Sequence, residues 1–187
     1  MPRLFIAIDI PDQVKDNICE LRRNLPGVRW TIRDQIHITM RFIGDSDDIL
    51  FNQIKSSLSE IRLPPFGLEL TSSGFFPNER RPSVFWLGCG ESRALSDLKD
   101  YMDLVLDSCG IPPESRKFHP HITIARLKTP SEKDCHKLNN IYQSLFPMSF
   151  NVSEFILYSS LLKSDGAEHS KECVYPLLQA APTSPKE

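Results

Sequence analysis

Two short segments of this chain, His37-Ile38-Thr39 and His121-Ile122-Thr123, carry the same side chains in the same order. In an extended strand residues i and i+2 project to one side, so each segment presents an imidazole and a hydroxyl together. Histidine titrates near neutrality, which lets one imidazole accept a proton while another donates one. On opposite sides of a phosphate, such a pair would activate water and protonate the leaving oxygen of an in-line displacement. Each threonine hydroxyl can donate to a nonbridging phosphate oxygen and steady developing charge without itself reacting. A strained five-membered cyclic phosphate needs no more than this to open. The chemistry therefore demands no metal and no cofactor, in keeping with the lack of a carboxylate cluster.

A single His-x-Thr is ordinarily a satisfied polar pair on a half-buried sheet; its duplication on equivalent strands argues for chemistry. His119 and His121 form a His-x-His pair that could hold zinc, but no Asp, Glu or Cys spacing completes a site, and His119 is read as a supporting residue. His136 falls on a helix and His169 in a loop, so both are expected in solvent. An anionic substrate calls for positive charge. Arg41 shares strand parity with His37 and Thr39 and is a phosphate-binding candidate. Arg126 does not share parity with His121, and only a strand end or bulge would bring it to the same side. Arg80, Arg81 and Lys163 lie in predicted loops and are read as solvated; Phe75, Phe76 and Tyr158 are read as core.

The elements around these segments repeat. Leu4 to Ile8 reads as a buried strand, followed by a helix that Pro11 starts, with Val14, Ile18, Leu21 and Leu25 on one stripe and a stop near Pro26-Gly27. Gln35 to Ile43 alternates with period two, with Ile36, Ile38, Met40 and Phe42 opposite the histidine face. Ser46 caps a second helix, and a strand over 66–70 closes the first half. The second half gives a strand over 84–87 and a helix with Leu95, Leu98, Met102 and Val105 that Gly110 ends. The strand of His121 follows, then a helix from about 131 to 146 and a strand over 150–158. A polar hairpin loop over 159–170 returns through a last strand at 174–177. We expect one domain, 1–187, made of a first repeat at about 3–78 and a second at about 82–178, with 180–187 a frayed tail. This is an α+β fold of two pseudo-symmetric lobes, antiparallel sheets facing a central cleft and helices outside.

A chain of 187 residues holds one such domain, and a formal charge of -2 offers no bulk attraction to polyanions, so any nucleic-acid site is local. No apolar run reaches the length of a membrane span or signal core. We expect a cytoplasmic monomer that binds no membrane. The five scattered cysteines suggest buried reduced thiols rather than disulfides.

His37-Ile-Thr-Met40 and His119-Pro-His-Ile-Thr-Ile124 resemble the motifs of the two-histidine phosphoesterase superfamily, and within it the LigT-like branch, also called ThpR. The resemblance runs nearly the whole chain, from Arg3-Leu-Phe-Ile-Ala-Ile-Asp-Ile-Pro11 through Trp86-Leu-Gly88 to Leu157-Tyr-Ser-Ser-Leu161. It implies metal-independent hydrolysis of RNA 2′,3′-cyclic phosphate ends to 2′-phosphates. His37 then resembles the proton donor to the leaving 3′ oxygen, His121 the base that activates water, and Thr39 and Thr123 the phosphate-binding hydroxyls. The family also places a basic residue where Arg126 stands. Met40-Arg41 replaces a frequent Leu-Lys and keeps the positive charge. Joining of 2′-5′ RNA ends such as tRNA halves, hydrolysis of a small cyclic nucleotide, and noncatalytic RNA or nucleotide binding are the alternatives. Two titrating imidazoles exceed what binding alone requires.

Overall fold

In the computed structural model, which describes residues 3–163 and 166–178, the chain forms strands β1 (Arg3–Asp9), β2 (Val28–Trp30), β3 (His37–Asp45), β4 (Phe66–Phe76), β5 (Val84–Cys89), β6 (His121–Leu127), β7 (Met148–Val152), β8 (Glu154–Lys163) and β9 (Gly166–Pro176). Helices α1 (Asp12–Glu20), α2 (Asp48–Leu58), α3 (Arg93–Ser108) and α4 (Glu132–Gln143) connect them. The frayed tail expected at 180–187 lies outside the described residues. No described helix is long and apolar enough to cross a membrane.

All strand pairings are antiparallel, and the strands run in the order β7-β4-β5-β6-β3-β1-β8-β9, with β2 beside β6. Two groups of four are thus joined where β3 meets β6, through the single pair Ile38–Ile122. The expected facing sheets are two halves of one continuous sheet, joined at that contact. Ile38 and Ile122 are fully buried at this seam. Burial of one such side chain contributes about 1.5–3 kcal/mol.

The sequence repeats and the spatial halves are interleaved. β4, which ends the first repeat, pairs with β5 and β7, whereas β8 and β9, which end the second, extend β1. One face of the sheet packs with α1–α4 into the main core, to which Leu4, Ile6, Ile8, Phe85, Leu87, Ile122 and Ile124 contribute. On the other face Phe5, Ala7, Ile156 and Tyr158 form a small apolar floor. Burial on both faces explains why β1 reads as a continuous apolar run.

Local signals differ from expectation at two helix ends. α1 stops at Glu20, with Leu21 as its cap, and Leu25 reaches the core from the following loop rather than from the helix. Asp47 rather than Ser46 caps α2, its carboxylate accepting from Leu50 N at 2.8 Å. Ser131 caps α4 in a reciprocal capping box with Asp134. α3 ends before Gly110, whose φ of +83° suits glycine, and Ile111 N closes the turn on Leu106 O at 2.9 Å. All five cysteines are free, but only Cys135 is buried, the other four being half-buried.

Candidate active site

β3 and β6 bring the two His-Ile-Thr segments side by side and antiparallel, so the Ile38–Ile122 contact acts as a local two-fold. His37 and Thr39 flank Ile38, and His121 and Thr123 flank Ile122, on the face away from the helices. All four line one cavity of about 630 Å³.

The two arginine candidates separate because each strand carries a bulge at the same place. On β3, Ile6 of β1 pairs with Arg41 and Ala7 with Thr39, which leaves Met40 without a partner. On β6, Phe85 of β5 pairs with Ala125 and Trp86 with Thr123, which leaves Ile124 without one. Each extra residue inverts the alternation beyond it. Arg126 therefore returns to the side of Thr123 and lines the cavity. Arg41, placed at the cleft by simple parity, is instead turned into the core at 2% exposure. Its guanidinium donates to the Pro112 carbonyl and lies 3.6 Å from Asp103 and 3.4 Å from Glu114. The residue that occupies Arg126's equivalent position on β3 is Phe42, 65% exposed and on the cavity wall rather than on the face of Ile38.

Each imidazole is fixed by the backbone two residues before it. His121 Nδ1 lies 2.6 Å from the His119 carbonyl. A carbonyl can only accept, so Nδ1 carries a proton and neutral His121 keeps its lone pair on Nε2. His37 is held likewise by the Gln35 carbonyl. Burial pushes His37 down to about 4, helped by the neighbouring His169 and opposed by Asp9. His121 is lowered too, first by burial. Asp9 is itself engaged by Lys15 at 2.6 Å and Lys171 at 2.7 Å.

Aromatic rings surround both histidines. Phe5 stacks on Tyr158 with centroids 5.1 Å apart, and its ring lies 5.3 Å from that of His37. Phe76 stands edge-on to His121 at 4.9 Å, and Trp86 packs against His119 at 4.7 Å. His119 thus supports His121 through its carbonyl and its ring. Phe76 packs against His119 and His121 behind the site, while Phe75 is core. His136 is exposed on α4, and Arg80 and Arg81 are exposed in the loop after β4. Among the described residues, no three His, Cys, Asp or Glu side chains gather as a metal would require.

His169, expected in solvent, sits on β9 and lines the cavity, 5.6 Å from His37 between ring centroids. Its signal was in the sequence. In the sequence an Asp-Gly dipeptide at 165–166 is a hairpin signal, and Ser160 and Leu162 before it alternate as Ala167 and His169 do after it. The described residues of the cavity wall include three arginines and three histidines and no carboxylate. A chain of net negative charge thus builds a locally cationic, donor-rich cleft, suited to an anion with a proton taken on one side and given on the other.

The same arrangement of sequence and fold occurs in known proteins. The RNA 2′,3′-cyclic phosphodiesterase of Thermotoga maritima is 32% identical over 170 residues, which cover 88% of this chain and 89% of that protein. The protein of the same name from Aeropyrum pernix is 40% identical over 100 residues, 52% of this chain and 57% of that one. The crystal structure of E. coli LigT complexed with 3′-AMP superposes with a TM-score of 0.77 at 26% identity, covering 96% of this chain and all of that one. The model of the 2′-5′ RNA ligase superfamily matches residues 10–163, a span that holds both His-Ile-Thr segments, the bulges beside them and the crossing at Ile38–Ile122; this chain belongs to that superfamily.

Proposed function

We propose that this protein hydrolyses RNA ends bearing a 2′,3′-cyclic phosphate to 2′-phosphomonoesters, acting as a single catalytic unit built from both repeats. The observation that carries this reading is the shared cavity of His37, Thr39, His121 and Thr123 across a local two-fold. It is supported by relatives that bear the name RNA 2′,3′-cyclic phosphodiesterase and by a structural relative solved with a nucleotide.

In the mechanism, His121 Nε2 accepts a proton from water as the water oxygen bonds to phosphorus. The bond from phosphorus to the 3′ oxygen breaks, and His37 delivers a proton to that oxygen. The phosphate remains on the 2′ oxygen beside a free 3′ hydroxyl. Thr39, Thr123 and Arg126 hold the nonbridging oxygens, where donors aimed at developing charge contribute most. His37 is neutral in the empty cleft. The entering phosphate anion supplies the opposite charge that raises its pKa, so substrate binding and proton uptake are coupled.

Purified protein with EDTA and an oligoribonucleotide ending in a 2′,3′-cyclic phosphate should give a 2′-phosphate terminus; no product, or product only with added metal, rejects the proposal. The pH profile gives a second expectation. Lowered pKa values keep both imidazoles neutral to lower pH, so the form with one proton on the pair is populated on the acid side. The optimum of kcat/KM, which reports free enzyme, should fall below the ordinary histidine value of 6.5. The optimum of kcat, which reports the complex, should lie at higher pH because the bound anion raises both groups. Coincident optima above pH 7 would contradict this account.

A further inference from the structure

Beyond the four motif side chains, the cleft has a second polar wall. Arg3 of β1 pairs with Ser160 of β8, and Ser160 pairs with His169 of β9. Residues directly opposite one another on antiparallel strands project from one face. The guanidinium, hydroxyl and imidazole therefore form a row across three strands, and all three line the cavity. The row starts beside the reacting pair, since the His169 ring lies 4.9 Å from Phe5 and 5.6 Å from His37. Gln35 Nε2 donates to the Ala167 carbonyl at 2.5 Å, which ties β9 to the turn that leads into His37.

Charge is sorted along this hairpin. Glu168 pairs with Lys163, and Glu172 accepts from Ser159 Oγ at 2.5 Å; none of these residues lines the cavity. Among the described residues, the carboxylate paired with a member of the row is Asp45, and Asp9 lies toward His37. Asp45 stands 3.6 Å from Arg3 Nε, with the two side chains 60% and 59% exposed, so this pair is open to exchange with a ligand. Asp9 is held by Lys15 and Lys171. Among the described residues, the polar side chains on the cleft side of the hairpin, Ser160 and His169, can both donate.

The reacting group does not use them. A cyclic phosphodiester carries one negative charge and two nonbridging oxygens, which Thr39, Thr123 and Arg126 already serve. Arg3 is a surplus cation and His169 a surplus ring donor, and the 5.6 Å between the His169 and His37 rings sets that end of the row where a group covalently close to the reacting phosphate would lie. In an RNA end, the next anion is the phosphodiester on the 5′ side of the terminal ribose.

We propose that Arg3, Ser160 and His169 form a subsite for this upstream phosphodiester, so that the enzyme selects polynucleotide ends over free nucleoside cyclic phosphates; the proposal rests on the cyclic phosphodiesterase reading of the His37–His121 site. The test compares two substrates, a nucleoside 2′,3′-cyclic phosphate with a free 5′ hydroxyl and a dinucleotide ending in the same cyclic phosphate. Hydrogen bonds to charged groups support a preference of about 10- to 100-fold in kcat/KM for the dinucleotide. Arg3→Gln and His169→Gln should each narrow that ratio by about tenfold, chiefly through KM of the dinucleotide, and added salt should narrow it in wild type. Equal kcat/KM values in wild type, or variants that lower both substrates alike, overturn the subsite. If wild type turns over neither substrate, the reading of the histidine pair fails instead. The subsite is then judged by binding of the dinucleotide 2′-phosphate, about tenfold weaker in both variants if it stands and equal in all three proteins if it does not.

Discussion

Alanine at His37 or His121 is expected to lower kcat on a cyclic-phosphate RNA end by about 10²- to 10⁴-fold, the usual contribution of a general acid or base. Both rings are side chains of well-packed strands, and the backbone carbonyls that hold them are supplied by Gln35 and His119 whichever residue follows. Each variant should therefore keep its fold, as read by circular dichroism, while losing turnover. The two variants can be told apart chemically. A cyclic substrate with sulfur in place of the 3′ bridging oxygen expels a thiolate that needs no proton. It should restore His37→Ala, which lacks the acid, and leave His121→Ala slow. The opposite pattern would exchange the two roles, and unimpaired turnover by either variant would remove that residue from the mechanism.

The second large effect is on stability and separates two arginines that look alike in sequence. Arg41→Ala removes the cation from a buried cluster in which Asp103, Glu114 and Lys99 meet beside the Pro112 carbonyl. Breaking a buried pair by deleting one partner costs about 3–5 kcal/mol. Asp103 and Glu114 keep some access to water, which points to the lower end, about 3 kcal/mol. Urea denaturation of Arg41→Ala should show that loss, whereas Arg126→Ala, an exposed residue, should change stability by less than about 0.5 kcal/mol. Activity should respond the other way, with Arg126→Ala weakening substrate binding. Equal stability of the two variants would mean that the Arg41 cluster does not hold β3 to α3.

These two residues also show what the sequence makes legible and what it conceals. His37, Thr39, His121 and Thr123 could be placed together because strand alternation and duplication are local patterns, and the pairing of β3 with β6 carries them onto one face. The period-two rule misplaces Arg41 and Phe42 because it has no knowledge of a bulge. The extra residues, Met40 and Ile124, are ordinary apolar residues with no composition of their own. Comparing the two motifs position by position would have exposed this, since Arg126 aligns with Phe42 and not with Arg41. His169 was concealed for a different reason. Residues 159–170 are polar enough to pass for a loop, and their cleft-facing alternation matters only once β8 and β9 are laid against β1. The interleaving of the repeats is a matter of long-range pairing, on which local periodicity is silent.

That interleaving sets an order of events during synthesis. β1 leaves the ribosome before β3 and finds it within the next few dozen residues, but its other edge is filled by β8, from residues 156–160 near the far end of the described chain. Until then β1 presents an apolar, hydrogen-bonding edge of the kind that recruits foreign strands. Contacts so distant in sequence are also slow to form. A stalled or truncated product that ends after β7 would hold both His-Ile-Thr segments yet lack the strand that completes the floor beneath His37. The nascent enzyme thus carries its reactive groups long before it can shelter them, and it depends on its last strands both to become active and to stop being adhesive.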